Sequence, residues 1–403
     1  MIDAAPSSPP PRPARRRIAW ANRALERSWA GGWSPVPDLS PDALVAEARR
    51  RVPDGTLGDP GVWRANLDAL CAGLRDEARL TSLGRTMAYG QLVAALTDRM
   101  RAHALWAAHP EIGDVPIERP VLILGQMRSG TTRVQRMLAC DPRLNWTRHY
   151  ESWRPVGRAR RLRAGGTLAA MRLLNPDFDA IHPTSAGAPD EEIGLFSLSL
   201  FGATFEAQWR VPGFTRWCER RDARPVYAEF RRLLQTIAWL RGDRRPRPWV
   251  IKVPQLTQDL DAALALFPDA RVVRVERDPV ATVASAASLV RNQMRVQSDH
   301  VDDAWIGREW LRKVRLRRER TAAALAARPG TPVADVSFDA MNRDPVGAMR
   351  PVYDMLDLAL TPAVERRMRR YLRRAAREGR GAHRYAIEEF GLSADEVRAA
   401  LPA

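Results

Sequence analysis

Two hydrophobic spacings divide the chain. From about Pro41 to Glu111, apolar residues recur three and four positions apart in "SPDALVAEARRRV", "DPGVWRANLDALCAGLRDEARL" and "GQLVAALTDRMRAHALWAAHP". That period predicts helices, with Gly and Pro punctuating between them. Ser40 is placed to cap the first helix, with Pro41 at its first position. From Pro120 onward, short aliphatic runs alternate with helical stretches. The runs predict strands at Val121–Leu124, Trp249–Val253, Arg271–Glu276 and Val333–Phe338. Such alternation implies a parallel sheet with helices on both faces. The opening "MIDAAPSSPPPRPARRRIAW" is rich in proline and predicts a disordered tail. The division read from the pattern is a tail over 1–40, a helical extension over 41–115 and an α/β domain over 116–403, without internal repeats.

The first strand runs into "LILGQMRSGTTRVQ", Leu122 to Gln135, and a helix is predicted from Thr132 to Ala139. Gly125 and Gly130 stand five apart and are followed by Thr131 and Thr132, giving G-x-x-x-x-G-T-T against the triphosphate-binding G-x-x-x-x-G-K-[ST]. Thr131 occupies the lysine position. The unpaired amides and positive dipole end of a helix after such a loop favour an anion. Arg128 inside the loop offers a planar fork to phosphate or sulfate oxygens. Without the lysine, a magnesium-bound triphosphate fits poorly. The alternative reading of "RSGTT" is an ordinary tight turn into a helix cap.

"WVIKVPQ" ends the second predicted strand at Lys252, and "ARVVRVERDPVATVASAASL" carries Arg277 beyond the third, with Ser285 about two helical turns further on. Ligands of open α/β sheets gather outside the carboxyl ends of the strands, so Arg128, Lys252 and Arg277 point at one crevice. A surface salt bridge to Glu276 or Asp278 is the alternative for Arg277, and a structural strand-end ion pair is the alternative for Lys252.

At 403 residues the chain suits one large α/β domain with additions or two to three average ones. A net charge of +17 suggests a polyanion partner. All but Lys252 and Lys313 of the 64 basic residues are arginine, however, a skew that suits GC-rich coding. The arginines of "RRMRRYLRRAAREGR" interleave with Met368, Tyr371, Leu372 and Ala375 as the solvated face of an amphipathic helix. Cys71, Cys140 and Cys218 are too scattered for a disulfide framework or metal site and suit a reducing compartment. The N-terminus shows no apolar signal-peptide core, and no run of about 18 apolar residues appears, so a cytoplasmic protein without a transmembrane segment is expected.

Together, "GQMRSGTT", "WVIKVPQ" and "VERDPVATVASAASL" resemble the sulfotransferases that use 3′-phosphoadenosine 5′-phosphosulfate (PAPS), particularly the bacterial branch with a helical N-terminal extension. "HPEI", "FPDARVV", "VSFDAMNRDPVGAMRPVYDMLDL" and "HRYAIEEFGL" extend the likeness from about Pro41 to Leu392. The resemblance implies a P-loop, nucleotide-kinase-like α/β fold, with a parallel sheet flanked by helices beside the helical extension. It implies that Arg128, Ser129, Gly130, Thr131 and Thr132 cradle the 5′-phosphosulfate and that Arg277 and Ser285 grip the 3′-phosphate. A donor with one 5′-phosphate has no β,γ pair to clamp and no magnesium to seat, which accounts for Thr131. Charge develops on the bridging oxygen as sulfur leaves it, where Lys252 can stabilise it. For the acceptor's proton the candidates are Glu151 in "RHYESWRP", with Arg154 as its alternative partner, and His182 in "IHPTSAGAPDEE". Where many relatives have a histidine two residues after the proline of the lysine strand, this chain has Leu256. The expectation is sulfuryl transfer from PAPS to a hydroxyl of a small-molecule or lipid acceptor, with Arg128 and Lys252 in catalytic roles and no metal. A P-loop kinase or other nucleotide enzyme and a basic polyanion-binding protein are the alternatives.

Overall fold

The computed structural model describes residues 12–175, 184–243, 246–377 and 385–402. Five strands form a wholly parallel sheet: β1 (Val121–Leu124), β2 (Asn145–Trp146), β3 (Trp249–Lys252), β4 (Arg271–Glu276) and β5 (Val333–Ser337), in the order β2-β3-β1-β4-β5. All four residues of β1 are buried because their alternating side chains enter different cores. Leu122 and Leu124 join one cluster with Trp249 and Ile251. Val121 and Ile123 join another with Val134, Met137 and Val273. Burial on both faces is what a continuous aliphatic run requires. The architecture is α/β, a P-loop-like parallel sheet between helical layers.

The helices ahead of β1 share the first of those cores: Leu44, Leu67, Leu92 and Leu96 belong to the same buried cluster as Leu122. Ser40 caps the helix Pro41–Arg51 by accepting from the Ala43 amide, with Pro41 in the first turn. The third expected helix begins earlier than its apolar period suggests, at Ser82, because Thr81 caps it, and it continues to Ala108.

Two differences from the sequence reading stand out. The expected disordered stretch contains a helix, Arg12–Ala30. Beyond the prolines, Ile18, Asn22, Leu25 and Trp29 recur at helical spacing, and Asn22 Oδ1 accepts the Leu83 amide at 2.7 Å. That helix therefore docks on its neighbour. The second difference is β2, only two residues long, whose pairing to β3 (Asn145↔Trp249) no local pattern announces.

The chain passes from β1 outward to β2 and β3, then crosses to β4 on the other side of β1. A crevice opens outside the carboxyl ends of the strands at such a reversal. Register puts Lys252 beside Ile123 and Arg274 beside Leu124. The loop after β1, the end of β3 and the segment after β4 therefore meet at one rim.

Candidate active site

The loop between β1 and the helix Thr131–Leu138 is shaped by two glycines. A Cβ on Gly125 would lie 2.7 Å from both Ser129 Oγ and Thr131 Cγ2, closer than real side-chain atoms approach. Gly130 has φ of +100°, and a Cβ there would meet the Phe338 ring at 2.9 Å. Ser129 ties the loop back on itself, its amide and hydroxyl donating to the Gln126 carbonyl at 3.1 and 2.7 Å. The result is a narrow turn whose following helix presents its first amides to the crevice.

Arg128, Arg277 and Ser285 come together there. Arg128 sits in the left-handed region at φ +69° and reaches across to Ser285, Nε donating to Oγ at 3.4 Å. Arg277 Nη1 donates to the Arg128 carbonyl at 2.7 Å, and its guanidinium lies 4.3 Å from the Phe338 ring centroid. Burial lowers the Arg128 pKa, opposed by Tyr385 and reinforced by Arg277. Arg277 therefore adds positive charge beside the Arg128 guanidinium. The alternative ion pairs of Arg277 do not form among the described residues: Glu276 pairs with Arg274 at 3.4 Å, and Asp278 caps the following helix through the Ala281 amide. Phe338, read from the sequence only as the end of a strand, follows β5 and touches both halves of this cluster.

Lys252 ends β3, is 4% exposed, and places Nζ 3.1 Å from Glu191 Oε2. Its backbone amide donates to Glu192 Oε2 at 2.7 Å. Burial pushes the Glu192 carboxyl up to about 8, with the Lys252 amide offsetting part of the rise. Burial thus favours the protonated form of Glu192, and the ion-pair contact of Lys252 is with Glu191. Leu256, at the position where many relatives have a histidine, is buried in the core.

Glu151 stands at the start of the helix His149–Trp153. It is wholly buried, and its oxygens accept from the Arg148 amide and guanidinium, the Tyr150 hydroxyl and the Arg241 guanidinium. Burial alone would raise its pKa, but Arg241 and then Arg148 overcome that and lower it. Five hydrogen bonds thus tie this buried carboxylate to Arg148, Tyr150 and Arg241. Arg154, its anticipated partner, instead meets Asp98 at 3.2 Å. His182 lies outside the described residues.

A histidine the sequence reading passed over stands nearby. His149 Nδ1 is 2.7 Å from Asp190 Oδ2, which also accepts from the Thr184 hydroxyl at 2.8 Å. The other oxygen of Asp190 accepts the Glu191 amide at 2.9 Å. This buried group fixes the backbone from which Glu191 reaches Lys252. Forty-one positions separate His149 from Asp190, so local spacing carried no sign of it.

No curated protein matches the chain in sequence. Among solved structures, the sulfotransferase STF1 of Mycobacterium tuberculosis H37Rv superposes with a TM-score of 0.78 at 27% identity, covering 90% of this chain and 98% of that one. The sulfotransferase STF9 of Mycobacterium avium gives 0.77 at 25% identity, over 89% of this chain and 94% of that one. A sequence-family model, the sulfotransferase family, matches residues 120–362, a span that holds all five strands, the loop, Lys252, Arg277 and Ser285. By that match and by the fold around its crevice, the chain belongs to the sulfotransferase family.

Proposed function

We propose that the chain transfers a sulfuryl group from PAPS to a hydroxyl of a small-molecule or lipid acceptor. The observation that carries this reading is the meeting of Arg128, Arg277 and Ser285 beside a glycine-shaped loop that has Thr131 in place of a lysine. A nucleotide with a 3′-phosphate and a single 5′-phosphate suits two guanidiniums and a hydroxyl at one end and helix amides at the other.

In this reading the amides from Gly130 to Thr132, with Ser129 and the Arg128 fork, would hold the 5′-phosphosulfate, and Arg277 with Ser285 would hold the 3′-phosphate. The donor supplies the activated sulfur–oxygen bond. Lys252 is placed to neutralise charge on the oxygen bridging sulfur and phosphorus as that bond breaks, an interaction that grows toward the transition state. As the acceptor oxygen bonds to sulfur, its proton passes to Glu191, whose carboxylate stands against Lys252 and is 15% exposed, hence reachable. His182 remains the second base candidate. The hydrogen bonds of Asp190 to His149 and Thr184 keep the Glu191 backbone in place.

A thermal-shift comparison tests the donor class. Adenosine 3′,5′-bisphosphate is expected to stabilise the protein without magnesium and more strongly than adenosine 5′-phosphate. Stabilisation by ATP that requires magnesium would overturn the reading in favour of a kinase. Stabilisation by heparin alone would favour a polyanion binder.

A further inference from the structure

The helix Arg160–Leu174 divides its apolar residues between a packed face and an exposed one. Only Ala164 and Leu168 are buried. Leu162, Gly166, Ala169 and Leu173, at i, i+4, i+7 and i+11, form one stripe that faces solvent, with Leu162 78% and Leu173 59% exposed. Single exposed apolar residues are ordinary, whereas two exposed leucines on one helix face with only Gly166 and Ala169 between them mark a candidate interaction site.

Positive charge frames the stripe. A cavity of about 560 Å³ opens at the start of the helix, lined by Arg148, Tyr150, Arg160, Arg161 and Leu162. Among the described residues no carboxylate forms an ion pair with Arg158, Arg160 or Arg161, while Arg148 meets Glu151 at 2.9 Å. The first turn of the helix holds no acidic residue and has no side-chain cap. Arginines at the positive end of a helix dipole are unfavourable unless an anion arrives.

At the other end, the helix Arg12–Ala30 lies alongside, with Arg17 Nη1 donating to the Leu173 carbonyl at 3.1 Å. Arg16, Trp20, Arg23 and Arg27 share its exposed face, and Trp20 is 68% exposed. Leucines that enter the acyl boundary, a tryptophan at headgroup level and arginines for acidic lipids are the components of an interfacial binding surface. No helix of the described residues is long and apolar enough to cross a membrane.

We infer that these two adjoining helices form a docking surface for an anionic lipid membrane, with the Arg148–Arg160–Arg161 cavity receiving a lipid phosphate and the Leu162–Leu173 stripe entering the interface. A second protein would have to cover an apolar stripe and neutralise arginines at both of its ends. An acidic bilayer supplies both.

Co-sedimentation of the full chain with vesicles tests this. The protein is expected to bind phosphatidylcholine vesicles that contain phosphatidylglycerol and to bind pure phosphatidylcholine weakly. Leu162→Gln/Leu173→Gln is expected to lower partitioning by roughly ten-fold or more, as losing two inserted side chains implies. Arg160→Gln/Arg161→Gln is expected to abolish the preference for acidic lipid. Because the net charge of +17 attracts any acidic surface, Arg366→Gln/Arg370→Gln/Arg373→Gln on the helix Pro362–Arg377 serves as control and is expected to keep most of the binding. Unchanged melting temperatures and unchanged stabilisation by adenosine 3′,5′-bisphosphate would show that fold and crevice survive the substitutions. Equal binding to both vesicle types, wild-type binding by the leucine variant, or an equal loss in the control would overturn the inference.

Discussion

Replacing Arg277 by alanine separates the two ends of the proposed donor site. Its guanidinium has no carboxylate partner among the described residues and makes two contacts that remain within the protein, the 2.7 Å hydrogen bond to the Arg128 carbonyl and the stacking on Phe338. A charge-assisted contact to a 3′-phosphate contributes about 1.5 to 3 kcal/mol, hence roughly ten- to a hundred-fold in affinity. Loss of the bond to Arg128 also loosens the loop, at a cost of about 1 kcal/mol, but that loss falls equally on any ligand seated there. Titration calorimetry with adenosine 3′,5′-bisphosphate and adenosine 5′-phosphate isolates the difference. The bisphosphate is expected to lose roughly ten- to a hundred-fold more affinity than the monophosphate. Arg277→Lys keeps the charge but not the fork and should fall between. Equal losses for both nucleotides in Arg277→Ala would refute the assignment and leave Arg277 as a brace for the loop.

Gly130→Ala places a Cβ 2.9 Å from Phe338 at a φ of +100°. It is expected to cost about 1 to 3 kcal/mol of stability in chemical denaturation and to weaken bisphosphate binding. Glu151→Ala leaves Arg241 and Arg148 without their buried partner. A loss of about 3 to 5 kcal/mol is expected, with near-normal nucleotide affinity in the folded fraction. If Glu151 were instead the base, Glu151→Gln would keep its melting temperature and stop transfer. Glu192 gives a pH signature. Its folded pKa of about 8 lies above the ordinary 4.5, so below that lower value folded and unfolded chains both hold the proton. Between the two values only the folded chain holds it, and the stability contributed by this carboxyl falls as pH rises through that window and levels off above about 8. Denaturation across the window should show Glu192→Gln less pH-dependent than the wild type.

The frame of the fold was legible because it rests on local pattern. Strands buried on both faces are near-continuous aliphatic runs, which marked β1 and β3, while closely spaced valines marked β4 and the half-exposed β5, all within a residue at their ends. The loop was equally open to reading, since a narrow turn before a helix requires glycines at set positions, and Arg277 and Ser285 followed from their distance beyond a strand end. What stayed hidden depends on pairing between distant segments. Nothing local announced that Glu151 meets Arg241, ninety positions away. The Asp190 bonds to His149 and Thr184, and the seat of Phe338 against Gly130, arise only once the chain has folded. The helix Arg12–Ala30 was missed because the prolines before it dominated the composition, while its own apolar spacing fits a docked helix.

Single-turnover transfer from radiolabelled PAPS, with the protein in excess over the nucleotide and a panel of phenols, sugars and hydroxylated lipids as acceptors, tests the central claim most directly. The wild type is expected to move the label from the nucleotide to an acceptor. Lys252→Ala should slow that step by about 10²- to 10³-fold without changing bisphosphate affinity, because its charge is needed only as the bridging oxygen gains charge. Lys252→Arg should be as slow, since a planar fork cannot occupy the point of an ammonium 3.1 Å from Glu191. A folded Lys252→Ala protein that transfers label at the wild-type rate, or a wild type that leaves the label on the nucleotide with every acceptor, would contradict the account.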